Sequence, residues 1–154
     1  MREIKFRAWQ KHHKRMLEVR SISFKDEKIL SILTYTNENV WPQLVLYTDE
    51  YKSNFWLTDE EGMCLHLMQF TGLLDKNGKE IYEGDICNCK EWYFGDLKEI
   101  AFNGVVSFDD GQFAIIKETD SPYSLYQALD SCSISNRDIK VVGNIYQNPE
   151  LLNK

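Results

Sequence analysis

The pair Asn77-Gly78 lies inside the stretch QFTGLLDKNGKEIYEGDIC, residues 69–87, and constrains this chain more than any other feature. Asn-Gly between β-prone runs is the strongest short-range hairpin signal. Both residues take positive φ cheaply, as a type I′ turn demands. Gly72 and Gly84 bracket the pair and allow sharp bends at either end of the hairpin. A second tight turn stands at Asp109-Asp110-Gly111, between strand-like runs at 105–108 and 112–117. A chain punctuated this often suits short antiparallel strands, curled into a small, strongly bent barrel or roll.

The remaining segments extend that reading. Along 2–9, Ile4, Phe6 and Ala8 fall on one strand face, while Lys5, Arg7 and Trp9 fall on the other, with Trp9 covering an edge. A polar turn at 10–14 leads to a second strand at 15–24 and a third at 29–35. Pro42 biases Trp41 away from helix, and 43–55 reads as a helix or, by its Val, Tyr, Thr, Phe and Trp content, as two short strands. The acidic turn at 58–62 marks a boundary between a β-rich N-terminal subdomain, 1–61, and a barrel or roll subdomain, 62–154. Within the latter, 63–70 and 85–94 read as strands, and a last strand from 138 is ended by Pro149. One short helix is expected at 124–131, where Leu125, Ala128 and Leu129 share a helical face behind Pro122. The fold class is therefore mainly β, α+β at most.

Composition limits the function classes. Hydrophobic residues at 43% and aromatics at 13% of 154 residues supply a packed core and argue against disorder. The net charge of -6 opposes a surface built wholly to track phosphates, which is basic. Against that background the first 20 residues hold seven cations: Arg2, Lys5, Arg7, Lys11, Lys14, Arg15 and Arg20. The opening MREIKFRAW lacks the apolar core of a signal peptide, and no apolar run nears the roughly 18 residues of a membrane helix. The expected setting is the cytosol, where thiols stay reduced.

Three sets of residues carry possible chemistry. Cys87 and Cys89 share a strand face, and Cys64 and His66 repeat the spacing on another strand. In-register pairing of those strands would make a Cys3His zinc site geometrically possible. The plain alternative is small apolar residues alternating on two core strands, because usual zinc motifs space their cysteines further apart. Lys5, Arg7 and Trp9, continued by Lys11, Lys14, Arg15 and the adjacent His12-His13, mix cationic and stacking groups as a single-strand binder would. The plain alternative is an edge strand defended by charge. Among the carboxylates, Glu80, Glu83 and Asp85 surround Gly84, where Asp85 is expected to satisfy exposed N–H groups at a bend. No nucleophile elbow, phosphate loop or dinucleotide fingerprint is present, so no catalytic residue and no cofactor is assigned.

Four segments together resemble the YopX family of phage and prophage proteins: IKFRAWQKHHKRML, LMQFTGLLDKNGKEIYEGDIC, GVVSFDDGQFAI and VVGNIYQNPELL. They are spread over nearly the whole chain. The resemblance implies a β-rich protein with a barrel-like C-terminal part, encoded in a mobile element, and implies no activity or ligand residues. The resulting expectation is a non-catalytic accessory protein that works through protein contacts, as a homo-oligomer or on a phage or host partner. The alternative is a nucleic-acid-binding protein using the basic segment from Arg2 to Arg20. Less favoured is a metal-assisted enzyme.

Overall fold

The computed structural model describes residues 3–11, 13–25, 28–35, 43–46, 57–58, 64–93, 98–119, 124–130 and 138–153. Its strands are β1 (Phe6–Gln10), β2 (Arg15–Lys25), β3 (Lys28–Tyr35), β4 (Gln43–Leu46), β5 (Leu57–Thr58), β6 (Cys64–Leu74), β7 (Glu80–Tyr82), β8 (Asp85–Tyr93), β9 (Lys98–Asp109), β10 (Gln112–Lys117), β11 (Leu125–Ala128) and β12 (Lys140–Asn144), followed by a 3-10 turn, η1 (Pro149–Asn153). Every pairing among the described strands is antiparallel. One sheet runs β4-β3-β2-β1-β6-β5 with β7 beside β6; the other runs β11-β10-β9-β8-β12. The described strands leave the second sheet open, so it is a roll and not a closed barrel. No helix among the described residues is long and apolar enough to cross a membrane.

The chain divides into two compact units, one spanning Lys5–Gln69 and the other built on Phe70–Lys154, with the division inside β6. The boundary expected at 61/62 lies outside the described residues. So do the segment at 36–42 and most of 43–55, of which β4 covers 43–46.

In the first unit, β1 is a central strand between β2 and β6. It is not the edge strand expected from its charges. Leu17, Ile32 and Leu65 form the buried cluster, with Val19, Ile22 and Leu67 packed against it. A register shift between Val19 and Ser21 flips the strand's parity around Arg20, which lets Ile22 rejoin the face of Leu17 and Val19.

The second unit is packed around Ile81, Cys87, Cys89, Phe102, Val106, Phe113, Ile115, Leu129, Ile139 and Val141. Burying each of the larger aliphatic side chains contributes about 2 kcal/mol. The β9–β10 hairpin closes through Asp110 and Gly111, both at positive φ (46° and 80°), with Asp109 opposite Gln112. That is the two-residue turn of a twisted hairpin. The Asn77-Gly78 loop is built differently. Gly78 is left-handed at φ 80° and Asn77 is not. The Gly78 N–H donates to Asp75 O at 2.9 Å, and the Asp75 N–H donates to Lys79 O at 2.7 Å. Lys76 and Asn77 therefore turn ahead of a glycine bulge, and the expected type I′ turn is replaced by a longer loop.

The expected helix at 124–131 is the strand β11. Its residues pair with β10, Ala114 opposite Ala128 and Lys117 opposite Leu125. Leu125 and Leu129 pack on the core with Gln127, only 6% exposed, between them. The working period is thus two, not 3.6. The run is also too short to hold a helix without tertiary help, and β10 offers a full ladder of partners. The last strand ends at Asn144, not at Pro149. The Asn144 Oδ1 accepts the N–H groups of Tyr146 and Gln147 at 3.0 and 2.9 Å, which turns the chain. Pro149 instead opens η1, where its missing N–H is harmless.

Candidate functional site

The β1–β2 hairpin carries the cations singled out from the sequence. Gln10 pairs with Arg15 at its base, and Lys14 adopts the left-handed conformation at φ 50° as the chain returns. Lys11, His13 and Lys14 are exposed at the tip, and Arg20 is exposed further along β2. Arg15 is half-buried, and its Nε donates to Oε1 of the buried Gln10 at 2.7 Å. Lys5 and Arg7 are half-buried on β1. Trp9 is only 5% exposed, so it belongs to the interior and presents no ring face to a nucleobase. Arg2 and His12 lie outside the described residues. The hairpin thus gathers Lys11 and Lys14 into one accessible tip and sets Lys5, Arg7 and Trp9 back within the sheet.

His66 stands opposite Trp9 across the β1–β6 pairing. Partial burial, and then the positive charge of Lys11, hold its imidazole below the ordinary histidine value. A neutral ring beside a lysine at the tip leaves the positive charge concentrated on Lys11 and Lys14.

The cysteine set is arranged by the core. Cys87 and Cys89 are both buried members of the second unit's apolar cluster. Burial drives the Cys87 thiol far above its usual pKa, and the negative charges of Asp85, Cys89 and Asp75 add to the shift. The Cys3His arrangement required β6 to pair with β8. β6 pairs with β1, β5 and β7, while β8 pairs with β9 and β12. Cys64 starts β6, and its side chain is outside the described residues. Among the described residues no group of three or more His, Cys, Asp or Glu side chains is placed to hold a metal.

Asp75, Asp85 and Thr71 of the central stretch bond to main chain. Asp75 is buried and its Oδ1 accepts the N–H groups of Asn77 and Lys79 at 2.8 and 2.9 Å. Its Oδ2 accepts the Val141 N–H at 3.0 Å. Next to it the Lys76 N–H donates to Ile139 O at 3.0 Å, and Lys76 Nζ meets Asp138 at 2.9 Å. Asp85 Oδ2 accepts the Tyr82 N–H at 2.9 Å across the Gly84 bend, in the role expected of it. The Thr71 hydroxyl donates to Ile81 O at 2.9 Å and accepts from Leu73 N–H at 3.2 Å, where β6 bulges against β7. Glu80 accepts the Tyr82 hydroxyl at 2.8 Å.

Two features escaped the sequence reading. Asp75 joins its loop to β12. The available signal was an Asp two residues ahead of Asn-Gly, the placing of a side-chain-capped turn. Phe24 and Phe108 are 66% and 56% exposed. The signal for Phe108 was its place beside the Asp109-Asp110-Gly111 turn, at the open end of the strands.

A sequence profile of one protein family, described as YopX protein, matches residues 5–153. Two solved structures are similar in fold. Protein EF1440 from Enterococcus faecalis is 27% identical with a TM-score of 0.51, and the match covers 99% of each chain. Protein yopX from Bacillus subtilis is 22% identical with a TM-score of 0.54, again over 99% of each chain. Comparison with curated proteins returned no match.

Proposed function

The chain belongs to the YopX family, and on that premise we propose that it is a non-catalytic accessory protein of a phage or prophage that acts by docking to protein surfaces, its own copies included. The observation that carries this reading is the pair of exposed phenylalanines. Trp9, Phe70, Tyr82, Phe102 and Phe113 are each at or below 5% exposure, and Phe6, Tyr126 and Tyr146 are half-buried. Phe24 in one unit and Phe108 in the other stand out in solvent, and a partner that covered either ring would gain about 2 kcal/mol. The buried carboxylates of Asp75 and Asp85 favour the same reading, because their oxygens hold main-chain N–H groups. Light scattering over a concentration series, with cross-linking in phage-bearing cells, tests it. Loss of self-association or of a cross-linked partner in Phe24→Asp or Phe108→Asp supports the reading. A strictly monomeric chain that yields no cross-link in those cells overturns it.

A second reading rests on the exposed tip cations Lys11 and Lys14, which suit a nucleic-acid backbone. With Trp9 buried, the contact would be to phosphate and carry little base stacking. Retention of single-stranded DNA or RNA at low salt, abolished by Lys11→Glu with Lys14→Glu, is the expected result. No retention at low salt rejects it.

A further inference from the structure

The sequence holds two Asn-Gly pairs, Asn77-Gly78 and Asn103-Gly104, and the fold restrains them to different degrees. Asn-Gly is prone to deamidation because glycine puts no side chain in the way of its own amide nitrogen. The glycine N–H gives its proton to solvent base, and the nitrogen attacks the asparagine Cγ. The bond to the side-chain amide nitrogen breaks, ammonia leaves, and a cyclic succinimide remains. Water opens that ring at either carbonyl and gives aspartate or isoaspartate. Only water is consumed.

Asn103 lies within β9 and its amide is held at both ends. Its Nδ2 donates to Leu151 O at 2.9 Å, and its Oδ1 accepts from Asn88 Nδ2 at 2.9 Å. Gly104 is packed so closely that an added Cβ would meet Ile115 Cγ2 at 2.7 Å. The side-chain swing that ring closure needs would break this set. Asn77 is exposed, and nothing lies within 4 Å of a Cβ at Gly78. Its restraint is the turn itself: Gly78 N–H on Asp75 O and Asn77 N–H on Asp75 Oδ1. The attacking nitrogen is released when the first of these opens.

We propose that Asn77 is a native-state deamidation site, that Asp75 gates it by holding the turn closed, and that Asn103 is its locked counterpart. An isoaspartate at 77 inserts an extra methylene into the main chain of the loop through which Asp75 reaches Val141. The product therefore loosens β12.

Peptide mapping by mass spectrometry after incubation of the full chain at mildly alkaline pH tests this. Under native conditions Asn77 converts while Asn103 stays intact. In unfolding urea both convert, and the Asn77 rate rises by about tenfold or more, as expected when a local opening no longer limits it. Asp75→Ala raises the native Asn77 rate by a larger factor than it raises that of Asn103. If that variant does not fold, wild-type chain in urea below its midpoint gives the same reading, with Asn77 accelerating before Asn103. Equal Asn77 rates in folded and unfolded chain overturn the gate. Native conversion no faster at Asn77 than at Asn103 overturns the site.

Discussion

The Asp75 carboxylate accepts the backbone N–H of Val141, 66 positions along the chain. With Asn77 and Lys79 it has three main-chain donors, and it ties the β6–β7 loop to the last strand. Removing the carboxylate leaves the Val141 N–H in a buried place with no acceptor. Asp75→Ala is expected to lower unfolding stability by about 3 kcal/mol in urea titration, and Asp75→Asn by less, since one oxygen remains.

The same residue has a pH signature. Burial alone would raise the Asp75 pKa, but N–H groups of Lys79, Val141 and Asn77, with the charge of Lys79, bring it below its ordinary value. The folded pKa lies under the unfolded one. Its contribution is therefore complete above the unfolded value of about 3.9 and is lost as pH falls through the folded value. Acid titration of stability should be shallower over that window in Asp75→Asn than in wild type.

His66 titrates in the opposite charge sense with the same sign for stability. Burial, then Lys11, hold the imidazole down. The neutral ring stabilises the fold above the unfolded pKa of about 6.5, and that contribution is lost as pH falls through the lowered folded value. Lys11→Met should move the His66 midpoint upward in an NMR titration. An unchanged midpoint would show that the lysine charge does not reach the ring.

Gly104 and Gly78 should fail for different reasons when changed to alanine. At Gly104 the new Cβ would press on Ile115 Cγ2 at 2.7 Å and on the Ile116 carbonyl at 3.0 Å. Overpacking of this kind costs about 1–3 kcal/mol. At Gly78 there is open space, but φ is +80°, so the cost is left-handed strain alone, about 1–2 kcal/mol. Ile115→Ala should partly rescue Gly104→Ala in a double-mutant cycle and leave Gly78→Ala untouched.

Phe24→Ser should leave stability within about 0.5 kcal/mol, since the ring is mostly in solvent. Phe108→Ser should cost about 1 kcal/mol, because its ring meets Phe113 edge-on at 5.1 Å. Thermal melts of the two variants check the order.

Strands bounded by their own turn residues were legible. β2, β3, β8 and β10 fall where alternation and the adjoining turns put them, and Gly72 and Gly84, expected to allow sharp bends, take positive φ. What local pattern could not carry was the identity of neighbours. The run at Leu125–Ala128 looks helical by spacing and becomes a strand because β10 supplies a ladder. Trp9 looks like a stacking residue until β2 and β6 enclose β1. Asn-Gly reads as a turn at 77–78 and sits within a strand at 103–104, where Asn88 and Leu151 hold the asparagine. Of the candidate site, the exposed cations Lys11 and Lys14 were readable from a polar turn. The plain reading of Cys87 and Cys89, small apolar residues on a core strand, agrees with their burial, whereas the strands that flank them are named by no short window.

The loop that reaches from Asp75 and Lys76 to Val141 and Ile139 also decides what this flank of the roll refuses. A foreign β-segment adding alongside β12 would need the Val141 N–H and the Ile139 carbonyl, and both are already engaged. Templated strand addition, the route by which open sheets polymerise into fibres, is blocked there by one carboxylate and one backbone amide. Chains lacking Asp75 would thus present a sticky seam as well as a weaker fold, and turbidity on prolonged storage would reveal it.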